Sequence, residues 1–311
     1  MASPSIDVII PTYNSQRTLE ECLSRIRSQE YPGEIHIIIV DGGSSDKTIE
    51  VAKAFDCEIY IKAGMYGTGL NGAREFGTKK SNSPILWNID SDNILVERRV
   101  ASDLVAPLAD DPTISISTPV TSIDPSASSF NNWMSLQESE NVFRMTKSAK
   151  ITKDYYVVED MSYGLTNAAM IRRIDYQIAG GYDSDIRLLQ RLRKKGLSKG
   201  AIVPTAHIFH NQVVNIRDYM VKWSRRISKF ANMNEDDFKE YFVEYPVSVD
   251  GHSFLTRNLI KSLASYPANS FGKYLETRDP TWLWGLAYPL INLAVFARNP
   301  SKTMRVYSNL F

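Results

Sequence analysis

The chain has little sulfur and little histidine. Among 311 residues there are two cysteines, Cys22 and Cys57, and four histidines. Two cysteines make no disulfide framework, which fits a reducing compartment. The chain also has no charge excess of either sign: 36 Lys and Arg against 35 Asp and Glu leave a net charge of +1. That argues against a general nucleic-acid binder. No stretch reaches the roughly 20 apolar residues of a confident membrane span. The N-terminus enters an apolar pattern by Ile6 without a basic region or a cleavage site, so no secretory signal is expected. There is no internal repeat and no low-complexity tract. With 43% hydrophobic and 23% charged residues, the remainder is an ordinary globular mix.

The most informative stretch is Pro84-Ile-Leu-Trp-Asn-Ile-Asp90-Ser91-Asp92-Asn93. A short apolar run between turn signals reads as a buried strand, and it ends in two carboxylates. Bare carboxylates at a strand end are costly without a partner. A hard cation such as Mg²⁺ or Mn²⁺ holding a diphosphate would be one. Alone, Asp-x-Asp is a weak signal, common in surface turns.

Upstream, strands are expected at Ile6–Ile10 (stopped by Pro11), Ile35–Val40, Cys57–Ile61 and Ile85–Ile89. Helices are expected from Thr18, where Thr18 and Glu21 have the form of a capping box, after Asp46 through about Phe55, and after the glycine-rich loop Gly64–Gly72. Strands alternating with helices at this spacing indicate parallel βαβ units. Ligands in such sheets bind beyond the carboxyl ends of the strands. The loops there, Pro11–Asn14, Asp41–Asp46, Ala63–Leu70 and Asp90–Asn93, are rich in hydroxyls, carboxylates and glycines.

Downstream, Val100–Leu108 is expected to be helical and Ile114–Ser117 an edge or continuing strand. A long loop over Ser122–Asn132 and a helix over Trp133–Lys147 follow. After a buried segment, Ala168–Ile171, comes the turn Gly180-Gly181-Tyr182-Asp183, then a basic helix stopped by Gly196. Short strands Ala201–Pro204 and Ala206–His210 close the domain.

The order Ile9-Ile10-Pro11-Thr12-Tyr13-Asn14, Val40-Asp41-Gly42-Gly43-Ser44-Ser45-Asp46, Asn71-Gly72-Ala73-Arg74 and Asp90-Ser91-Asp92 resembles the large inverting nucleotide-sugar glycosyltransferase family 2 with the GT-A fold, over residues 6 to 212. The resemblance implies an α/β fold, a mostly parallel central sheet flanked by helices, with a helical C-terminal extension. It implies a catalytic domain over 1–212, with a donor half to about 118 and an acceptor half over 119–212, followed by a helical region over 213–311. Pro11, Thr12, Tyr13, Asn14, Asp41, Gly42, Arg74, Asp90 and Ser91 would form the donor site. Tyr13 would lie against the base, Asp41 accept from its ring N–H, Arg74 meet base or diphosphate, and Asp90 hold the ribose. Asp92, with Asp90 and His210, would hold Mn²⁺ or Mg²⁺; an imidazole ligand favours Mn²⁺. His207 is read as structural. The family's base-bearing pair falls here on Ser184-Asp185, so Asp185 is the first candidate for the general base and Asp183 the second. Glu159-Asp160 is a further acidic pair that could face the acceptor.

The implied reaction is sugar transfer, with inversion, from a UDP- or GDP-type sugar to an acceptor hydroxyl or lipid phosphate. Cell-envelope glycan, glycolipid or polysaccharide synthesis would be the setting. A nucleotidyltransferase and a non-catalytic nucleotide-sugar-binding protein are the alternatives; the first normally opens with a basic glycine-rich loop that Pro11–Asn14 lacks. Arg217–Phe230 is a basic amphipathic helix of the kind that lies on anionic membranes. Trp282–Ala297 is uncharged, with tryptophans at one end and Arg298 after the other, like a membrane-interface segment. The expected location is the cytoplasmic face of a membrane, or the cytoplasm, with a carbohydrate or lipid-linked acceptor such as a polyprenyl phosphate.

Overall fold

A computed structural model describes residues 3–62, 69–161, 167–182, 185–232, 266–298 and 300–301. The chain divides into two compact units. The first comprises residues up to Asp124 together with Ser135–Gln212; the second comprises Pro125–Met134 and the chain from Val213.

The first unit is built on one mixed sheet. Strands β1 (Ile6–Thr12), β2 (Ile35–Asp41), β3 (Glu58–Ile61) and β4 (Ile85–Asn88) form its parallel half, in the order β3-β2-β1-β4. Helices α1 (Leu19–Arg27), α2 (Thr48–Lys53) and α3 (Gly69–Lys80) are the crossovers. Beyond β4 the direction mixes. Strand β9 (Met170–Arg172) runs antiparallel between β4 and β6 (Ile116–Ser122), and β10 (Gly200–His210) lies parallel to β6. Three short strands, β5 (Asn93–Leu95), β7 (Lys150–Ile151) and β8 (Tyr156–Val158), complete it, all by antiparallel pairing.

Side-chain alternation divides the core. Ile6, Val8 and Ile10 face one apolar cluster with α1 and with α4 (Val100–Asp110). Ile9 faces the other, which holds Tyr176 of α6 (Arg173–Ile178) and Leu188, Leu189 and Leu192 of α7 (Asp185–Lys194). Burial on both faces explains the near-continuous apolar strands.

Several expectations are corrected. β1 does not stop at Pro11 but continues to Thr12, in register with Asp41. Its pairing with β4 ends at Ile9, so Pro11 falls where that side no longer asks for an N–H. Thr18 does precede α1, but its side chain makes no capping bond. Ile116–Ser122 is an interior strand, flanked by β9 and β10. The two expected strands near the end of the domain are one, β10, whose register against β6 shifts between Ile202 and His207, around Pro204. The helix α5 (Ser129–Thr146) starts earlier than expected.

The second unit is helical in its described residues. It contains α8 (Ile216–Ala231), a helix over Tyr266–Thr277, a 3₁₀ turn over Pro280–Leu283 and a helix over Trp284–Ala297. Its core is aromatic. Phe130 packs edge-on against Tyr219 and Trp284 at 5.3 and 5.4 Å, and Trp133 lies 4.7 Å from Tyr288. Trp282 is buried, and Trp284 Nε1 donates to Ser129 Oγ at 3.0 Å. Trp282 thus lies in the core of this unit, and Trp284, half-buried, is tied to Ser129 and Phe130. Gly285 stands where a Cβ would meet Ser270 Oγ at 1.9 Å, so only glycine admits this helix contact. The opposite side of the last helix exposes Leu286, Leu290 and Leu293. Among the described residues no helix is long and apolar enough to cross a membrane.

Candidate active site

The carboxyl ends of β1, β2 and β4 lie side by side in the parallel half, and the loops leaving them are tied together by side chains. Asn14, held at a positive φ of 50°, accepts from Ser45 N at 2.9 Å, and its own N–H donates to Ser44 Oγ at 2.8 Å. Gly42 N donates to Thr12 O at 2.9 Å. Ser15 N donates to Thr48 Oγ1, and Ser91 Oγ to Ser15 Oγ at 2.9 Å. Asp46, one residue before the N-cap Lys47 of α2, accepts from Thr48 N at 3.0 Å. The Pro11–Asn14, Asp41–Asp46 and Asp90–Asn93 segments thus form one cross-linked rim. Tyr13 stands out from it, 41% exposed, which leaves aromatic surface for a stacked base. The Ala63–Thr68 part of the glycine-rich loop lies outside the described residues.

Asp41 and Arg74 are engaged differently from the expectation. Asp41 is fully buried, and its carboxylate takes Gly43 N, Ser44 N, Thr12 Oγ1 and Ser44 Oγ at 2.6–2.9 Å. Four donors match the four acceptor positions of a carboxylate, so the side chain shapes the turn. Arg74 is buried too. Its Nη2 reaches Asp90 Oδ1 and its Nη1 reaches Tyr182 Oη, both at 2.5 Å. Next to it on α3, Glu75 accepts from Tyr182 N at 2.7 Å and from Tyr176 Oη at 2.5 Å. Burial pushes the Glu75 carboxyl up, but Tyr176, Tyr182 N–H and Lys79 together bring it below its ordinary value. Gly181, at a φ of 90°, lies against that carboxylate. Two consecutive side chains of α3 therefore link the Asp-x-Asp corner to the Gly-Gly-Tyr turn.

Asp92 lies at the far side of this corner. Its carbonyl accepts from Asn211 N at 2.9 Å, which brings the end of β10 beside it. His210 Nε2 stands 3.7 Å from Asp92 Oδ1. His210 Nδ1 lies 3.0 Å from both oxygens of Glu138, on α5. Burial lowers the basicity of His210, but the Glu138 carboxylate, then Asp92 and Asp90, outweigh it and raise its pKa to about 9. Burial likewise raises Glu138, and His210 pulls it down further. His207, in contrast, is held at 2.8 Å by Glu97, away from this corner.

Asp92 and His210 fit a divalent cation on the chemistry of the donor set. One carboxylate oxygen and one imidazole nitrogen stand 3.7 Å apart, too far for a direct hydrogen bond. Mg²⁺-type sites use one or two carboxylates and leave the remaining positions to phosphates and water. Asp90, expected as a further ligand, is instead bonded to Arg74, and among the described residues no group of three or more His, Cys, Asp and Glu could hold an ion.

The acceptor side is partly described. Asp185 begins α7; its side chain and Asp183 lie outside the described residues. Asp160 pairs with Arg193 of α7 at 3.2 Å. Glu138, Glu75 and Tyr182 were not singled out from the sequence. Glu138 could have been: it shares a helical face with buried Ser135 and Val142, at i+3 and i+7 spacing.

Residues 7–179, more than half of the chain, match Glycosyl transferase family 2. The chain belongs to glycosyl transferase family 2. An N-acetylglucosaminyltransferase of Bradyrhizobium sp. (strain ANU 289) is 35% identical over 113 residues, 35% of this chain and 71% of that protein. One of Mesorhizobium japonicum is 36% identical over 111 residues, 34% of this chain but only 25% of its own length. Glycosyltransferase AglE of Haloferax volcanii is 36% identical over 95 residues, 29% of this chain and 31% of that protein. The match thus spans between a quarter and about seven tenths of these relatives. Among solved structures, mannosyltransferase PcManGT from Pyrobaculum calidifontis, in complex with GDP-Man and Mn²⁺, superimposes with a TM-score of 0.53 at 18% identity. That likeness covers 98% of this chain and 86% of the other. S. aureus TarS gives 0.51 at 16% identity, covering 98% and 55%. Both likenesses concern the fold, which is GT-A. Family membership decides between glycosyl and nucleotidyl transfer in favour of the first.

Proposed function

We propose that this family 2 glycosyltransferase moves a hexosyl unit, with inversion, from a UDP- or GDP-sugar bound over the Tyr13–Asn14 and Asp90–Asp92 loops. The observation that carries the reading is the pairing of Asp92 with His210 beside a rim of cross-tied donor loops. Tyr13 stacks on the base. Asp41 holds the Gly42–Ser44 turn in shape beneath it. Asp90, fixed by Arg74, meets the ribose. Asp92 and His210 hold Mn²⁺ or Mg²⁺, which, when bound, offsets charge on the leaving diphosphate. Asp185, or else Asp183, accepts the proton of the attacking acceptor hydroxyl. A mannosyltransferase of this fold crystallised with GDP-Man and Mn²⁺ supports the choice of donor and ion classes.

The test is a panel of nucleotide sugars with Mn²⁺, scored for nucleoside diphosphate release and thermal stabilisation. Asp92→Ala should abolish the metal-dependent stabilisation, and Asp185→Asn should keep it while losing transfer. If no nucleotide sugar stabilises the protein, or Asp92→Ala changes nothing, the reading fails. If Asp185→Asn transfers normally, the base lies elsewhere.

For the acceptor, Leu286, Leu290 and Leu293 favour a lipid surface. They form an exposed apolar stripe on a helix without a charged residue, in a unit that also exposes Lys222, Arg225 and Arg298. An exposed apolar stripe together with exposed basic groups in the same unit suits anionic lipid. Vesicles containing phosphatidylglycerol should sediment the protein, and Leu290→Ser with Leu293→Ser should release it. Equal sedimentation of both proteins refutes this assignment.

A further inference from the structure

Glu138 enters the site from α5, while His210 ends β10. Both carboxylate oxygens of Glu138 lie 3.0 Å from Nδ1 of His210. The carboxylate is itself fixed from three other segments. Thr121 Oγ1 donates to Oε2 at 3.2 Å and Gln212 Nε2 to Oε1 at 3.2 Å, while Asn167 Nδ2 lies 3.4 Å from Oε2 and 3.1 Å from His210 Nδ1. The carboxylate, with two oxygens 3.0 Å from Nδ1, only accepts, so the ring donates Nδ1–H to it and the Asn167 amide donates to Oε2 rather than to the ring. In the neutral imidazole the lone pair is then on Nε2, the atom that faces Asp92 at 3.7 Å. Nothing about the helical pattern of α5 demands a carboxylate there; Ser135 and Val142, its neighbours on the inward face, are uncharged and buried.

We propose that Glu138 is a positioning residue for the divalent cation: it holds His210 as the Nδ1–H tautomer, with the ring turned so that Nε2 and Asp92 present their donors side by side. Outer carboxylates of this kind orient a ligating imidazole and raise its basicity, and their loss typically weakens metal affinity about 10–100-fold. A purely structural Glu138–His210 contact would leave metal affinity untouched in any variant that folds. The inference rests on the cation reading given above.

The test is Mn²⁺ titration of the full chain, with UDP and with GDP, by calorimetry, alongside circular dichroism without metal. The wild type should bind, and Asp92→Asn should not. Glu138→Ala should bind about 10–100-fold more weakly, and Glu138→Gln, which keeps an acceptor but loses the charge, should fall between. Unchanged affinity in a folded Glu138→Ala, with wild type binding and Asp92→Asn silent, overturns the role of Glu138 and spares the cation reading. If the wild type binds no Mn²⁺ with either nucleotide, the cation reading falls and takes this proposal with it. A measurement without variants guards against misfolding: ¹⁵N shifts of His210 in wild type with Mg²⁺ and nucleoside diphosphate should show a protonated Nδ1 and an unprotonated Nε2. An Nε2–H ring overturns the proposal.

Discussion

Arg74 and Asp90 meet at 2.5 Å, with the guanidinium 5% and the carboxylate 21% exposed. A guanidinium this far from water depends on its partner, and removing one member of a buried pair costs about 3–5 kcal/mol. Asp90→Ala should therefore destabilise the protein by that order, read as a lower urea midpoint at unchanged m, beyond any loss of donor binding. Tyr182→Phe, which removes only a hydroxyl from the same guanidinium, should cost about 1 kcal/mol. Equal midpoints for wild type and Asp90→Ala would show that Arg74 finds water or another partner.

Asp7 gives a control at the other end of β1, away from the donor loops. Its buried carboxylate takes Asn82 N, Ser83 N and Ser83 Oγ at 2.6–2.7 Å and Arg173 Nη2 at 3.2 Å. Asp7→Ala should destabilise by about 3–5 kcal/mol while KM for the donor stays unchanged. A shifted KM would mean that the strand transmits the damage to its far end.

The pH dependence of stability can be read at Asp111. The Thr113 hydroxyl and the Lys199 ammonium bring its carboxyl down to about 2. The folded value lies below the unfolded one of about 3.9. The contribution is therefore complete above that value and lost as the pH falls towards 2. Lys199→Met should narrow the difference between urea midpoints at pH 5 and pH 3. An unaltered difference would assign the acid sensitivity to other carboxylates.

Gly285→Ala should destabilise the second unit by about 1–3 kcal/mol through overpacking against Ser270. Tryptophan fluorescence during thermal unfolding would report it, since Trp133 and Trp284 lie in that core. A variant that melts like wild type would mean that the two helices separate at little cost.

How much of this was legible in the sequence follows from range. The βαβ half was, because each strand is a local apolar run and each donor loop sits at a strand end. Pro11 misled because its tolerance depends on where β4 stops pairing, and Thr18 because a capping box needs geometry as well as residue types. The antiparallel insertion of β9 between β4 and β6 pairs residues 85–87 with 170–172, a separation that no local pattern encodes. In the site, the order of Asp41, Arg74, Asp90 and Asp92 was visible. Their partners were not: Arg74 meets Tyr182 across 108 positions and His210 meets Glu138 across 72. The tryptophans at 282 and 284 had the composition of an interface belt, but Trp284 packs against Phe130 of the Pro125–Met134 segment and Trp282 is buried.

That short segment carries a cost in time. Phe130 and Trp133 leave the ribosome long before the rings that cover them, the last of which, Tyr288, follows Trp133 by about 155 residues. At about 5–20 residues per second, two large aromatic side chains wait on the order of ten to thirty seconds for their core. The chain of the first unit is complete by Gln212, whereas Phe130 and Trp133 still lack the aromatic partners supplied by later residues of their own unit. Chaperone demand during synthesis, rather than equilibrium stability, then becomes the quantity to watch when this protein is produced.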